Sequence, residues 1–256
     1  MTATPDDHAL AAKLATEAGR LLVDLRAALV DQGAGAAELK DHGDRLSHEF
    51  LTEALARLRP EDPVLSEEGV ADETPGTKAA RLAASRVWIV DPLDGTREFS
   101  EPPRTDWAVH VALCIDGLAV VGAVALPALG ITLSTEEPPS LPASSGTVRV
   151  LVSRTRPPAE AEAIAGALGA ELVPMGSAGA KAMAVVRGLA ECYPHSGGQY
   201  EWDSCAPVAV AGAAGLWCSR LDGSALRYNA PDPYLPDLLV CRPELVDAVR
   251  GVLDEH

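Results

Sequence analysis

Acidic residues fall where apolar stretches of this chain stop. Asp91 and Asp94 close "WIVDPLDGT", and Glu67 and Glu68 close "VLSEEG". Asp203 follows Trp202 at the head of the small-residue run "WDSCAPVAVAGAAG", and Asp44 stands in "HGDRL". A carboxylate at the end of a core element loses hydration, at a cost of roughly several kcal/mol, unless a cation, a proton or a metal offsets it. Few Lys or Arg adjoin these positions in sequence. An oxygen-rich, sulfur-free set of donors suits Mg²⁺, which takes octahedral oxygen ligands and keeps some waters. Taken singly, Asp44 and Asp203 suit helix N-caps, and the two glutamates suit a solvated turn. Their joint occurrence points to a metal site.

The stretch "DPLDGT" favours that reading. Pro92 fixes φ and removes one N–H, so the chain can turn sharply and aim Asp91, the Leu93 carbonyl and Asp94 at one point. Gly95 lets the backbone pass close to a ligand, and Thr96 opens a turn whose N–H groups can hold a phosphate. Phosphatases of the haloacid-dehalogenase type use D-x-D-G-T with a nucleophilic first Asp. Here two residues separate the aspartates, and the motif lies far from the N-terminus.

The elements that must carry these residues follow from periodicity. Leu10, Leu14, Leu21, Leu22, Leu25 and Leu29 predict a helix from about Asp6 to Val30, ended by Gly33 and Gly35. Leu46, Phe50, Leu51, Leu55 and Leu58 predict a second from about Arg45, stopped by Pro60. Short strands follow: "PVLSEEG", "RVWIV", "WAVHVALCIDG", "LAVVGAVALPA" and "GITLST", with a hairpin at Asp116-Gly117. After the Pro- and Ser-rich stretch Glu136–Gly146, strands and helices alternate: "VRVLVS", the helix "PPAEAEAIAGALG", "ELVPMGS", the helix "AGAKAMAVVRG", "AECYPH", the "WDSCAPVAVAGAAG" helix, two strands, and a last helix "ELVDAVRGVLDE". The expected architecture is α+β followed by α/β. Two units are expected, 1–136 with most metal ligands and 147–256 with Asp203 and the recognition elements.

The 256 residues supply ample core, and 47% hydrophobic content fits a globular protein. A net charge of -16 argues against a nucleic-acid polymer as partner. A small phosphorylated substrate is compatible with it, because bound divalent cations reverse the field locally. No apolar run is long enough to span a bilayer, and "MTATPDDHAL" lacks the basic-then-apolar pattern of a leader, so a cytoplasmic location without membrane partners is expected. The five scattered cysteines form no C-x-x-C and read as reduced thiols.

Asp44, "SEEG", "WIVDPLDGT", "GSAGAKAMAVVRGLAECY" and "EWDSCAPVAVAGAAG", in that order, resemble the inositol-monophosphatase-like, magnesium-dependent, lithium-sensitive phosphatases. The resemblance covers nearly the whole chain and implies their layered αβαβα sugar-phosphatase fold. "DPLDGTREF", "GDRL", "GGQYEWDS", "SRLDGSALRYN" and "DPYLPDLLVCR" look most like the 3'(2'),5'-bisphosphate nucleotidases, particularly the actinobacterial branch. That implies hydrolysis of the 3'-phosphate of 3'-phosphoadenosine 5'-phosphate, or of its sulfated form, in sulfate assimilation. An inositol monophosphatase or fructose-1,6-bisphosphatase of relaxed specificity is the alternative within the group.

The resemblance further implies two to three Mg²⁺ ions. Glu67, Asp91 and the Leu93 carbonyl would hold one, Asp91, Asp94 and Asp203 a second, and a third would lie near Glu67. Thr96 and Asp44 would orient and deprotonate water, and Glu67 counts with them as catalytic. Gly95 and Thr96 amides would bind phosphate oxygens. In place of the group's Thr-rich approach to the upstream Asp stands "KDHGD", which leaves Asp41 as an alternative to Asp44. Candidates for the second phosphate are Arg97, Lys181, Arg154, Arg220 and Arg227. Gly176 and Ser177, and with them Asp203, are candidates for ribose or phosphate, and Tyr228 or His195 for the base. Members of the group are monomers or homodimers.

Overall fold

The structure, a computed structural model, describes residues 2–144, 146–155 and 157–255. Ser145, inside the expected linker, lies outside them. Helix α1 (Pro5–Asp31) carries its apolar stripe where the periodicity places it, burying Leu10, Leu14, Leu22 and Leu29. Helix α2 spans Ala36–Leu58 and therefore begins a full nine residues before Arg45. Its first turns, "AAELKDHG", offer Leu39 as the one large apolar side chain and contain Gly43, a poor helix former, so the period was silent there. Asp44 is thus interior to a helix and caps nothing.

The first sheet has the order β1-β2-β3-β4-β5, from Val64–Ser66, Arg86–Asp94, Ala108–Ile115, Leu118–Leu126 and Ile131–Ser134. β1 runs parallel to β2 and the remaining pairs are antiparallel. Asp116 (φ 50°) and Gly117 (φ 80°) make the two-residue hairpin loop that Asp-Gly encodes. A short helix, α3 (Pro75–Ala83), stands between β1 and β2. It was not expected, because nine residues with a single buried side chain, Arg81, leave no apolar period to read. Helix α4 (Thr96–Phe99) follows β2 after Gly95.

The second sheet has the order β7-β6-β8-β10-β9, from Glu171–Met175, Arg149–Ser153, Cys192–Tyr200, Tyr234–Cys241 and Trp217–Ser219. β7, β6 and β8 are mutually parallel, and β10 and β9 are antiparallel additions. Helices α5 (Ala159–Leu168), α6 (Ala178–Val186), α7 (Glu201–Ala213) and α8 (Val246–Leu253) connect or follow these strands. β8 runs on to Tyr200, well past the expected "AECYPH", despite Gly197 and Gly198.

Three cores define the layering. Trp88, Val90, Val109, Val111 and Val121 on one face of the first sheet meet α1 and α2. Ile89, Ala112, Cys114 and Val124 on its other face meet α6 and α7, whose far side is covered by Tyr193, Leu238 and Val240 of the second sheet. Val150, Val152, Leu239 and Cys241 on the outer face of that sheet meet Ala161 and Ile164 of α5 and Val249 of α8. The result is the αβαβα sandwich that the resemblance implied. All five cysteines are free thiols. Among the described residues no helix is long and apolar enough to cross a membrane.

The small residues of α7 are explained by its position between two sheets. A Cβ built on Gly122 of β4 would lie 2.6 Å from the Ala206 carbonyl oxygen and 2.7 Å from Ala209 Cβ. Helix and strand can approach that closely only through glycine and alanine. Gly122→Ala is therefore expected to destabilise the fold by about 1–3 kcal/mol through overpacking, to be read as a fall in Tm, with no direct effect on the acidic residues.

Candidate active site

β1 and β2 pair in parallel register, Ser66 opposite Val90, so the next residues, Glu67 and Asp91, stand side by side where that pairing ends. The β2–β3 ladder is interrupted between Asp91 and Asp94, where two residues bulge, and both aspartates end up buried. From the helix layer behind, Asp203 enters at the third position of α7 and its Oδ2 accepts from the Tyr200 amide at 2.6 Å. Carboxylate oxygens of Asp91, Asp94 and Asp203 come within 4.8 Å of one another.

The three are satisfied unequally. Asp94 Oδ2 accepts from the Ser177 hydroxyl at 2.5 Å and the Gly179 amide at 2.6 Å, and Oδ1 accepts from the Ala178 amide at 3.1 Å. These amides are the first turn of α6, whose dipole favours an anion. His110 Nδ1 donates to the Trp202 carbonyl at 2.9 Å, while its Nε2 stands 3.1 Å from Asp94 Oδ2. Burial works against ionisation of Asp94, but His110, Ser177 and Gly179 outweigh it and hold the carboxyl down at about 2. Asp91 is equally buried, yet only its Oδ1 has a partner, the Leu93 amide at 3.1 Å; Oδ2 is orphaned. Burial and then the Asp94 and Glu67 charges push Asp91 well above the ordinary carboxyl range.

Glu67, beside Asp91 at the end of β1, is pushed up to about 8 by lost hydration and by Asp203, Glu68, Asp44 and Asp94. Asp203 is raised to about 6 by burial and by Asp94. An all-oxygen set with an orphaned buried carboxylate oxygen and mutual repulsion fits a hard divalent cation. Asp91, Asp94 and Asp203 form a site that can bind one.

Thr96 is held beside this cluster. Its hydroxyl lies 3.2 Å from Asp44 Oδ1 and 3.0 Å from the Leu93 carbonyl oxygen. Asp44 reaches it because α2 packs tightly: a Cβ at Gly43 would come within 2.8 Å of both Leu93 and Phe99 side chains. Ser47 of the same helix donates to the Pro92 carbonyl at 2.6 Å, fixing α2 against the bulge. Burial, then Glu68, raise Asp44 to about 7, with Thr96 opposing. Asp41, the alternative, is exposed, and the Thr96 hydroxyl bonds to Asp44 and to the Leu93 carbonyl rather than to it. Gly95, at φ 83°, has room for no Cβ: one would lie 3.0 Å from Ser177 Cβ and 3.3 Å from the Trp107 backbone.

The expected recognition residues fare differently. The Gly176 amide donates to Asp106 Oδ2 at 2.7 Å, and the Ser177 hydroxyl donates to Asp94. Lys181 is buried; its Nζ donates to the Ser177 carbonyl at 2.6 Å and lies 5.2 Å from the centre of the Tyr193 ring. It supports Ser177, whose φ of 53° is unusual for a residue with a side chain. Arg220 makes two 2.7 Å bonds to Asp237. Tyr228 is core, its hydroxyl 3.3 Å from Ser204. Arg227 lies by the Gly117 hairpin. His195 has both ring nitrogens engaged, with the Tyr193 hydroxyl and the Gly198 carbonyl. Arg97 is more than half exposed and pairs with Glu101 at 3.1 Å. Arg154, just after β6, pairs with the buried carboxylate of Glu98, its Nε donating to Oε1 at 2.9 Å.

Sequence reading missed His110 and Glu98. A histidine in the apolar run "WAVHVALC" is a signal that could have found the first. Glu98, buried behind Gly95, has no such marker.

This fold and this cluster agree with the comparisons. A profile of the inositol monophosphatase family matches residues 7–250. The chain belongs to that family. It is 49% identical over 263 residues, 97% of this chain and 94% of the relative, to a 3'-phosphoadenosine 5'-phosphate phosphatase of Mycobacterium leprae. It is 30% identical over 203 residues, 75% of this chain and 80% of the relative, to the 3'(2'),5'-bisphosphate nucleotidase CysQ of Escherichia coli. Among solved structures, CysQ from Bacteroides thetaiotaomicron superposes with a TM-score of 0.78 at 27% identity, covering 91% of this chain and 96% of that one.

The raised carboxyls set a pH dependence. Glu67, Asp44 and Asp203 release their protons at about 8, about 7 and about 6, whereas an unfolded chain releases them near 4. Between those limits the folded chain holds more protons, so stability falls as pH rises. Asp94, at about 2, lies below the window. The metal-free protein should lose Tm from about pH 5 to about pH 8, and Mg²⁺ should remove most of the loss. A chelator-treated protein whose Tm is flat or rises across that range would contradict the electrostatics described.

Proposed function

We propose that the protein is a Mg²⁺-dependent phosphomonoesterase that converts 3'-phosphoadenosine 5'-phosphate to AMP and phosphate, and acts likewise on the sulfated form, in cytoplasmic sulfur assimilation. The observation that carries this is the 49% identity to 3'-phosphoadenosine 5'-phosphate phosphatases over nearly the full chain, combined with an acidic cluster and Thr96–Asp44 pair left intact. The two parts of the chain have separate duties in this reading. Residues 1–136 supply Asp44, Glu67, Asp91, Asp94 and Thr96, and residues 147–256 supply Asp203 and the α6 turn that holds Asp94.

Two to three Mg²⁺ would be held as the resemblance implies, by Glu67, Asp91 and the Leu93 carbonyl, by Asp91, Asp94 and Asp203, and near Glu67. Asp94 Oδ1, with a single hydrogen bond, is the oxygen left to a cation, and Asp91 Oδ2 has no hydrogen bond among the described residues. Bound ions supply electrostatic stabilisation of the attacking, transferring and leaving oxygens. The chain's own residues do the positioning. Gly95 and Thr96 present their backbone to the phosphate. The Thr96 hydroxyl orients water in line with the ester bond, and Asp44, raised towards neutrality, takes the proton. Water attacks directly, so no phosphoenzyme forms.

Phosphate release with Mg²⁺ from 3'-phosphoadenosine 5'-phosphate, inositol 1-phosphate and fructose 1,6-bisphosphate tests the reading. The nucleotide should be preferred by well over tenfold in kcat/KM, a difference of about 1.4 kcal/mol or more. Equal or better turnover of either sugar phosphate would refute it. Asp44→Asn should lower kcat by about 10²–10⁴-fold while Tm changes little.

A further inference from the structure

A substrate with a second phosphate needs a cation beyond the metal cluster, and the structure separates the five that the sequence nominates. Lys181 is buried on a carbonyl, Arg220 is committed to Asp237, and Arg227 sits at the β3–β4 hairpin. Arg97 and Arg154 remain, and both hold Glu101. Only their relation to the site differs.

Glu98 makes that difference. Its carboxyl lies against the phosphate-binding turn: a Cβ at Gly95 would be 3.3 Å from Glu98 Oε2, and one at Gly176 would be 2.3 Å from Glu98 Cδ. Arg154 donates to Glu98 Oε1 through Nε at 2.9 Å and through Nη2 at 2.5 Å, and Nη2 also lies 3.1 Å from Glu101 Oε2. Its Nη1 has no partner among the described residues. Arg97 reaches only the exposed Glu101.

Arg154 also occupies a place where ligands collect. β6, β7 and β8 run parallel, so Ser153-Arg154, Gly176-Ser177 and His195–Gly198 share the C-terminal edge of the sheet, the usual site of a crevice in such sheets. A cavity of about 200 Å³ lies there, lined by Ser153, Pro157, Tyr193, His195, Gly197 and Gly198. The Tyr193 ring lies 5.2 Å from Lys181 Nζ, which donates to the Ser177 carbonyl, and the Ser177 hydroxyl donates to Asp94, so a short chain of contacts joins this cavity to the acidic cluster.

Resting on the functional reading above, we propose that Arg154 is the specificity residue for bisphosphorylated nucleotides. Its guanidinium binds the phosphate that is not hydrolysed, exchanging the exposed Glu101 carboxylate for it, while Glu98 keeps the head group in place. The nucleoside lies in the adjoining cavity. A planar guanidinium with one edge anchored and one edge open is suited to a phosphate.

The test is steady-state kinetics of the Mg²⁺-loaded enzyme on 3'-phosphoadenosine 5'-phosphate and adenosine 3'-monophosphate, which differ only in the 5'-phosphate. Turnover of the bisphosphate by the wild type tests the functional reading. The ratio of the two kcat/KM values, variant against wild type, tests Arg154. In Arg154→Ala the ratio should fall about 10- to 100-fold, as for one lost charge-assisted contact, and mostly through KM. Arg97→Ala should move it by less than about fivefold, as for an exposed ion pair. Arg154→Ala leaves buried Glu98 unpaired, so the double variant Glu98→Gln/Arg154→Met repeats the measurement without that charge and should show the same fall. An unchanged ratio, equal losses on both substrates, or a fall in Arg97→Ala instead would overturn the assignment. If the wild type turns over neither nucleotide, the functional reading falls and this proposal with it.

Discussion

Three carboxylates forced together at the end of β2 are the constraint on which the rest of the structure depends. Two of them, Asp91 and Asp94, are buried, and the third, Asp203, comes from a helix pressed against the same sheet face. The protein resolves the repulsion asymmetrically. It spends the first turn of α6, the Ser177 hydroxyl and His110 on Asp94, and leaves one oxygen of Asp91 without a hydrogen bond, 4.0 Å from His110 Nδ1. Asp94 is therefore a fixed anion, while Asp91, Glu67 and Asp203 hold protons readily until a cation arrives. Such a site is prepared for metal and disfavoured without it.

That arrangement also explains why the layers meet where they do. Asp94 belongs to the first sheet and its donors to a helix between the two sheets, so the hydrogen bonds that tune the site join the layers. Ser177 accepts an unusual backbone angle to make them, and Lys181 steadies its carbonyl from below. On the opposite face, α2 approaches through Gly43 and delivers Asp44 to Thr96. Backbone strain and close approach gather at the site, as expected where geometry serves chemistry.

Much of this was legible from residue types. The aspartates of "DPLDGT", the glutamates of "SEEG" and the Asp after Trp202 share one property visible in sequence: charge where an apolar period ends. The two sheets were readable from the change from meandering strands to alternating strands and helices. Less visible was anything depending on what lies opposite. The first turns of α2 carry almost no apolar signal, yet Gly43 is there because Leu93 and Phe99 press on it. Lys181, Arg220 and Tyr228 read as candidate ligand contacts by type, and the fold gives them partners of its own, a carbonyl, Asp237 and Ser204, that sequence does not show. Gly176-Ser177 read as a candidate for ribose or phosphate; in the structure the Gly176 amide donates to Asp106, and the groups that follow it, the Ser177 hydroxyl and the Ala178 and Gly179 amides, donate to an anion of the chain itself. The anion is Asp94.

The central claim is that the orphaned oxygen of Asp91 is kept for a cation. Binding of Mn²⁺, a probe for Mg²⁺, to the wild type and to Asp91→Asn, followed by calorimetry beside the Tm of each metal-free protein, tests it directly. The account predicts that the variant binds at least about tenfold more weakly, the equivalent of about 1.4 kcal/mol. It also predicts that the metal-free variant is at least as stable as the wild type at neutral pH, because the wild-type carboxyl must take up a proton on folding or ionise against its neighbours, and the amide does neither. Undiminished binding, or a variant that is less stable without metal, would contradict it.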